Sequence, residues 1–185
     1  MITFIFDEEQ ATEAMVYLLG MNDDRMNYMK AVKMLYLADR ESMSNGHGSI
    51  TTDSYKSLPR GPVPSNILDC IRWNSGEEWN EHIRTTGYLV EISKPIKCFE
   101  KLSKHCMDTL TRIYEKFKDY DPWKLVDYCH TLGEWEDPHG SSMPISIESI
   151  IENSVSEDKR AAILEELEEC SLVQKTNYKL EKRIY

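Results

Sequence analysis

MNYMKAVKMLYLADRESM, residues 26–43, carries its apolar side chains at helical rather than alternating spacing. Met29, Val32, Leu35 and Tyr36 recur at intervals of three and four, which puts them on one face of a 3.6-residue helix. The stretch predicts the most apolar helix of the chain, running to about Met43 before Asn45, Gly46, His47 and Gly48 end it. Asp39 stands seven residues after Val32 and shares that face, so its carboxylate falls on the stripe that must be buried. A buried charge needs partners. Arg60 is the candidate, because a guanidinium meets a carboxylate with two hydrogen bonds. The alternative leaves Asp39 at the edge of the stripe in water, with Arg60 pointing outward.

Arg60 belongs to PRGPVP, residues 59–64, which packs three prolines and a glycine into six positions. The stiffness of the prolines would limit the entropy lost in holding an Asp39–Arg60 pair. The segment reads first as a corner: Gly61 lets the backbone turn, Pro62 stiffens it, and Pro64 suits the first turn of a following helix.

Outward from this centre, Asp7 and Gln10 have capping-box spacing, and Ala11, Ala14, Met15, Leu18 and Leu19 form the stripe of a first helix ending near Gly20. Residues 51–58 read as extended, 63–73 as a helix, and 80–92 as two short strands about Gly87. Leu102, Cys106, Leu110, Ile113 and Phe117 predict a long amphipathic helix with Ser103 near its cap, and Asp121 followed by Pro122 opens another. Residues 141–144 read as a loop, 147–152 and 157–170 as helices, and 178–185 as a mixed-charge tail. The expected class is mainly α (α+β): a helical domain with a small two- or three-stranded antiparallel sheet.

The 185 residues suit one domain. With 32 acidic against 22 basic side chains the formal net charge is −10, which opposes diffuse binding to nucleic-acid phosphates and favours a basic protein partner. No run of about 18 apolar residues exists and acid follows the first few residues, so neither a membrane span nor a signal peptide is expected, and the cytoplasm is. Five cysteines without a C-x-x-C pair read as free thiols of a reducing compartment.

Sites of chemistry are sparse in the pattern. His105–Cys106 and Cys129–His130 are adjacent pairs, and neighbours on a helix point about 100 degrees apart, so no metal site is expected. There is no G-x-S-x-G elbow, and the glycines around His47 lack the length and lysine of a P-loop. No catalytic set and no cofactor is assigned. His130 reads as a cap or a packed side chain, and Trp135, between Glu134 and Glu136, as an anchor for a partner or a lid on its own core.

Two ordered blocks carry a resemblance. KMLYLADRESMSNGHGSITTDSYKSLPRGPVPSNILD, residues 33–69, resembles the Panacea domain of SocA-like, phage-associated antitoxins, with its lysine-leucine-tyrosine-aspartate helix and glycine-proline-valine-proline turn. LSKHCMDTLTRIYEKFKDYDPWKLVDYCHTLGEWEDP, residues 102–138, is similar to the later helix pair of that family, closing on a histidine and a tryptophan. The matched positions include Lys33, Leu35, Tyr36, Asp39, Arg40, Gly61, Pro62, Val63, Pro64, His130 and Trp135. The resemblance, spanning roughly residues 26–139, implies a mostly helical domain, taken as residues 1–140; residues 141–185 have no counterpart in the family pattern and are expected as a C-terminal helical extension packed on it. It implies an antitoxin that neutralises a cognate toxin by direct protein contact; the matched Asp39, Arg40, Gly61, Pro62, Pro64, His130 and Trp135, together with Arg60, where the chain departs from the family pattern, are the candidate motif-core or contact residues. On the net charge, the toxin would be basic and steered by acidic residues around the contact. Some relatives are described as adaptors that deliver the toxin to a protease. An enzyme with a nonlocal site drawn from Asp39, Arg60 and His130 is the other class of reading.

Overall fold

The computed structural model describes residues 1–181. In chain order the elements are α1 (Glu8–Gly20), β1 (Arg25–Asn27), α2 (Tyr28–Ser44), β2 (Tyr55–Leu58), β3 (Gly61–Pro64), α3 (Ser65–Trp73), α4 (Glu77–His82), β4 (Ile83–Thr86) and β5 (Leu89–Ile92). There follow α5 (Lys104–Phe117), α6 (Pro122–His130), β6 (Met143–Ile145), α7 (Ile147–Ser154) and α8 (Glu157–Glu181). The mainly helical class with small antiparallel sheets is as expected, the strands dividing into two three-stranded sheets ordered β1-β5-β4 and β3-β2-β6.

The apolar stripe of residues 26–43 explains the architecture. α2 is buried along most of its length, Met34, Leu35, Tyr36 and Ala38 completely, and it packs against α1, α3, α5, α6, α7, α8 and strands of both sheets. An element surrounded on all sides buries polar positions along with apolar ones, and Lys33, Asp39 and Ser42 are enclosed with the rest. Helix starts follow local chemistry. Asp7 accepts from the Gln10 amide, Ser103 from that of Cys106, and Asp121 from those of Trp123 and Lys124 beside Pro122. Each such cap stabilises its helix by about 1 kcal/mol.

Four local expectations are corrected. Met26 belongs to β1, paired with Val90, and the helix starts after Asn27, whose side chain accepts from the Met29 amide. PRGPVP is a hairpin rather than a corner: Pro59 and Arg60 form its tip, and Gly61 to Pro64 pair with β2 in register Leu58↔Gly61 through Tyr55↔Pro64. Pro64 is consequently the cap position of α3, not a residue of its first turn. Met143 and Pro144, expected as loop, pair with Ser57 and Lys56 as the third strand of this sheet, where β2 offers an open edge. Asn80 lies in α4, so only Ile83 onward is strand.

The last helix continues past Cys170 to Glu181, because residues beyond 170 bind the segment that precedes α1. Gln174 accepts from the Ile5 amide at 3.1 Å and donates to its carbonyl at 2.8 Å, while Ser171 Oγ donates to the Thr3 carbonyl. Of the expected tail, residues 182–185 lie outside the described residues. No helix among the described residues is long and apolar enough to cross a membrane.

Candidate functional site

The polar residues of α2 are best followed along its buried face. Asp39 is fully enclosed and accepts from the Ile50 amide at 2.7 Å, the Thr51 amide at 2.9 Å, Ser49 Oγ at 3.2 Å and Thr51 Oγ1 at 2.5 Å. Ser49 Oγ in turn meets the Tyr55 hydroxyl at 2.9 Å. Burial pushes the Asp39 carboxyl up to about 6, and the Thr51 hydrogen bonds limit that rise. Asp39 is therefore a latch on the segment leaving its own helix. The expected pairing with Arg60 is not made: the turn through Gly46 and Gly48 returns backbone amides to the carboxylate first, and these satisfy it without a cation. Arg60, at the hairpin tip, places its guanidinium over the Trp123 ring at 5.3 Å.

Nearly two turns before Asp39, Lys33 is almost wholly enclosed and donates to the Pro62 carbonyl at 2.7 Å. Burial lowers its ammonium to about 8. Gly61 makes this approach possible. Its φ is +95°, and a Cβ there would stand 3.0 Å from Lys33 Nζ and 3.2 Å from Cys129 Cβ. The lysine of the helix and the glycine and first inner proline of the hairpin are thus one contact.

A third anchor joins α2 to the loop after α6. Glu134, the acidic neighbour of Trp135, is buried, accepting from Tyr36 Oη at 2.9 Å and Arg40 Nε at 2.6 Å. Arg40 also donates to Glu134 Oε2 at 3.3 Å and to the Asn153 carbonyl at 3.0 Å. His130 and Trp135 stack with ring centroids 4.0 Å apart, and Trp135 Nε1 donates to the Leu58 carbonyl at 3.0 Å. Trp135 is a lid fastened to the hairpin.

Asp53 is a residue that sequence reading missed. Its carboxylate accepts from the amides of Ser54, Asn66 and Ile67, so it caps α3 from a distant segment where Pro64 offers no side-chain acceptor. Only the proline at that cap position hinted at an external acceptor. For Glu134 the sequence held no signal, since its partners lie about a hundred residues away.

Two hollows flank the hairpin. One, of about 390 Å³, lies between the N-terminal segment and the β3-β2-β6 sheet beside Tyr55 and Glu134. The other, of about 490 Å³, opens between the hairpin, α2 and α3, with Lys33, Arg60 and Arg72 in its lining.

The three anchors, Asp39 to residues 49–51, Lys33 to Pro62 and Arg40 to Glu134, all fall within one segment that matches a known family. Residues 32–136 match the family model described as antitoxin SocA-like, Panacea domain. No curated protein and no solved structure matches the chain. Because the match runs from α2 through the Glu134 and Trp135 loop, more than half of the chain, the protein belongs to the SocA-like antitoxin family with its Panacea domain.

Proposed function

We propose that the protein is the antitoxin of a toxin–antitoxin pair, acting in the cytoplasm, and that it neutralises its cognate toxin by direct contact and without catalysis. The observation that carries this reading is the match of residues 32–136 to the antitoxin family. The chemistry of the motif supports it. The carboxylates of Asp39 and Glu134, the amine of Lys33 and the guanidinium of Arg40 are occupied in holding the hairpin, the segment before it and the loop after α6 on α2. Groups so engaged serve a rigid scaffold, and a preorganised surface loses less entropy on binding a protein. On this reading Asp39, Gly61, Pro62, Pro64, His130 and Trp135 shape the binding surface from behind.

The experiment is growth of cells expressing the neighbouring open reading frame, with and without this protein, followed by co-purification of the two products. Toxicity relieved by this chain together with a stable complex is the expected result. A harmless neighbour, or rescue with no complex, overturns the contact mechanism.

A further inference from the structure

The chain is acidic overall, yet the charged side chains lining two neighbouring hollows are cationic. The hollow of about 490 Å³ beside the hairpin and a second of about 590 Å³ between α3 and the β4–β5 turn share Tyr28 and Arg72 in their linings and together make a two-part depression. The charged side chains lining it are Lys33, Arg60, Arg72 and Arg84, all cationic, in a chain of net charge −10. Arg84 is held by Glu91 at 2.9 Å. Arg60 and Arg72 have no ion-pair partner among the described residues, Arg60 resting on Trp123. Lys33 is almost wholly enclosed beneath them and engaged by the Pro62 carbonyl, so Arg60 and Arg72 carry the charge a partner can reach.

Exposed aromatics stand against lining residues: Tyr88, 73% exposed, stacks on Tyr28 with centroids 6.4 Å apart, and Trp123, 57% exposed, carries Arg60 over its ring. Large aromatics left in water at such exposure cost free energy that docking recovers, and aromatics with arginine are the residues most enriched where protein partners bind tightly.

We infer that this depression, flanked by Tyr88 and Trp123 and lined by Arg60 and Arg72, is the surface that receives the toxin, and that the toxin presents an acidic segment to it. This rests on the antitoxin reading above. Charge complementarity selects the occupant: a cationic floor accepts carboxylates, and the exposed rings cover the apolar parts of a polypeptide around them. The net charge of the chain acts at long range, whereas the contact follows the local charge, so a toxin that is basic overall would still dock here through an acidic stretch.

The test uses the full chain and the product of the neighbouring open reading frame. Arg60→Glu with Arg72→Glu should weaken the purified complex by roughly a hundredfold or more and abolish growth rescue, with the thermal transition of the free protein unchanged. Glu165→Lys with Glu168→Lys, on α8, which lines neither hollow, is the comparison and should retain both complex and rescue. Tyr88→Ala, at an exposed turn position, should lower affinity about tenfold without loss of folding. If the wild-type proteins form no complex, the antitoxin reading itself fails. If they form one that the arginine reversals leave intact, or that the α8 reversals break instead, the proposed face is wrong while that reading stands. A complex lost on nuclease treatment would also overturn it, assigning the cationic floor to nucleic acid.

Discussion

Replacing Asp39 by Asn tests the centre of the site through its pH dependence. The carboxyl is fully buried, and loss of hydration raises it from 3.8 to about 6. The folded protein therefore holds this proton more tightly than the unfolded chain does. Between those two values the folded state binds more protons, so the Asp39 contribution to stability is present at low pH and is lost as pH rises through about 6. A displacement of about two pH units corresponds to about 3 kcal/mol over the full window, and to about 2–3 kcal/mol between about pH 4 and about pH 7. Asn keeps a carbonyl for the Ile50 and Thr51 amides and removes the titration. Urea unfolding of both proteins, followed by circular dichroism at several pH values, gives the difference in stability, wild type minus variant. That difference should fall by this amount as pH rises. A flat difference would refute burial without a cation. A rising one would mean a carboxyl held below its ordinary value, which is what an ion pair with Arg60 would produce.

Three further outcomes check the other anchors. Gly61→Ala meets a left-handed backbone and Lys33 Nζ at 3.0 Å, and should cost about 2–4 kcal/mol in denaturant unfolding, combining strain with a disturbed buried amine. Glu134→Gln should cost about 2–3 kcal/mol, and a cycle with Arg40→Met should show coupling above about 1 kcal/mol; additive losses would mean the pair is structurally idle. At about pH 8, Cys98, which is exposed, should react with a thiol reagent at once, while Cys70 and Cys129, buried and with thiols pushed up to about 11, should react only on unfolding. Mass spectrometry of the labelled peptides reads each site separately.

Much of the fold could be read locally. The stripe Met29, Val32, Leu35 and Tyr36 dictated a buried central helix, since apolar side chains at 3.6-residue spacing have one way to leave water together. Asp7, Ser103 and Asp121 marked helix starts because a cap binds amides within three residues of itself. Burial of Asp39 was legible in the same periodicity. Its partners were not, although Ser49 and Thr51 lie only about a turn of chain beyond the helix: spacing tells which face a carboxylate occupies, not which donors reach it first.

What only the tertiary structure decided are the pairings across long loops. β6 completes a sheet from 85 or more residues downstream of β2, Glu134 returns to Tyr36 and Arg40, and Asp53 caps a helix it does not precede directly. Nor did net charge, a sum over the chain, disclose that Arg60 and Arg72 gather in one depression. Periodicity and capping are set by neighbours in sequence, so the sequence alone determined the longer amphipathic helices and the burial of α2, but not α4, whose residues from 80 on read as strand. Hydrogen-bond partners and surface charge depend on distances in space, and those exist only once the chain has closed around that helix.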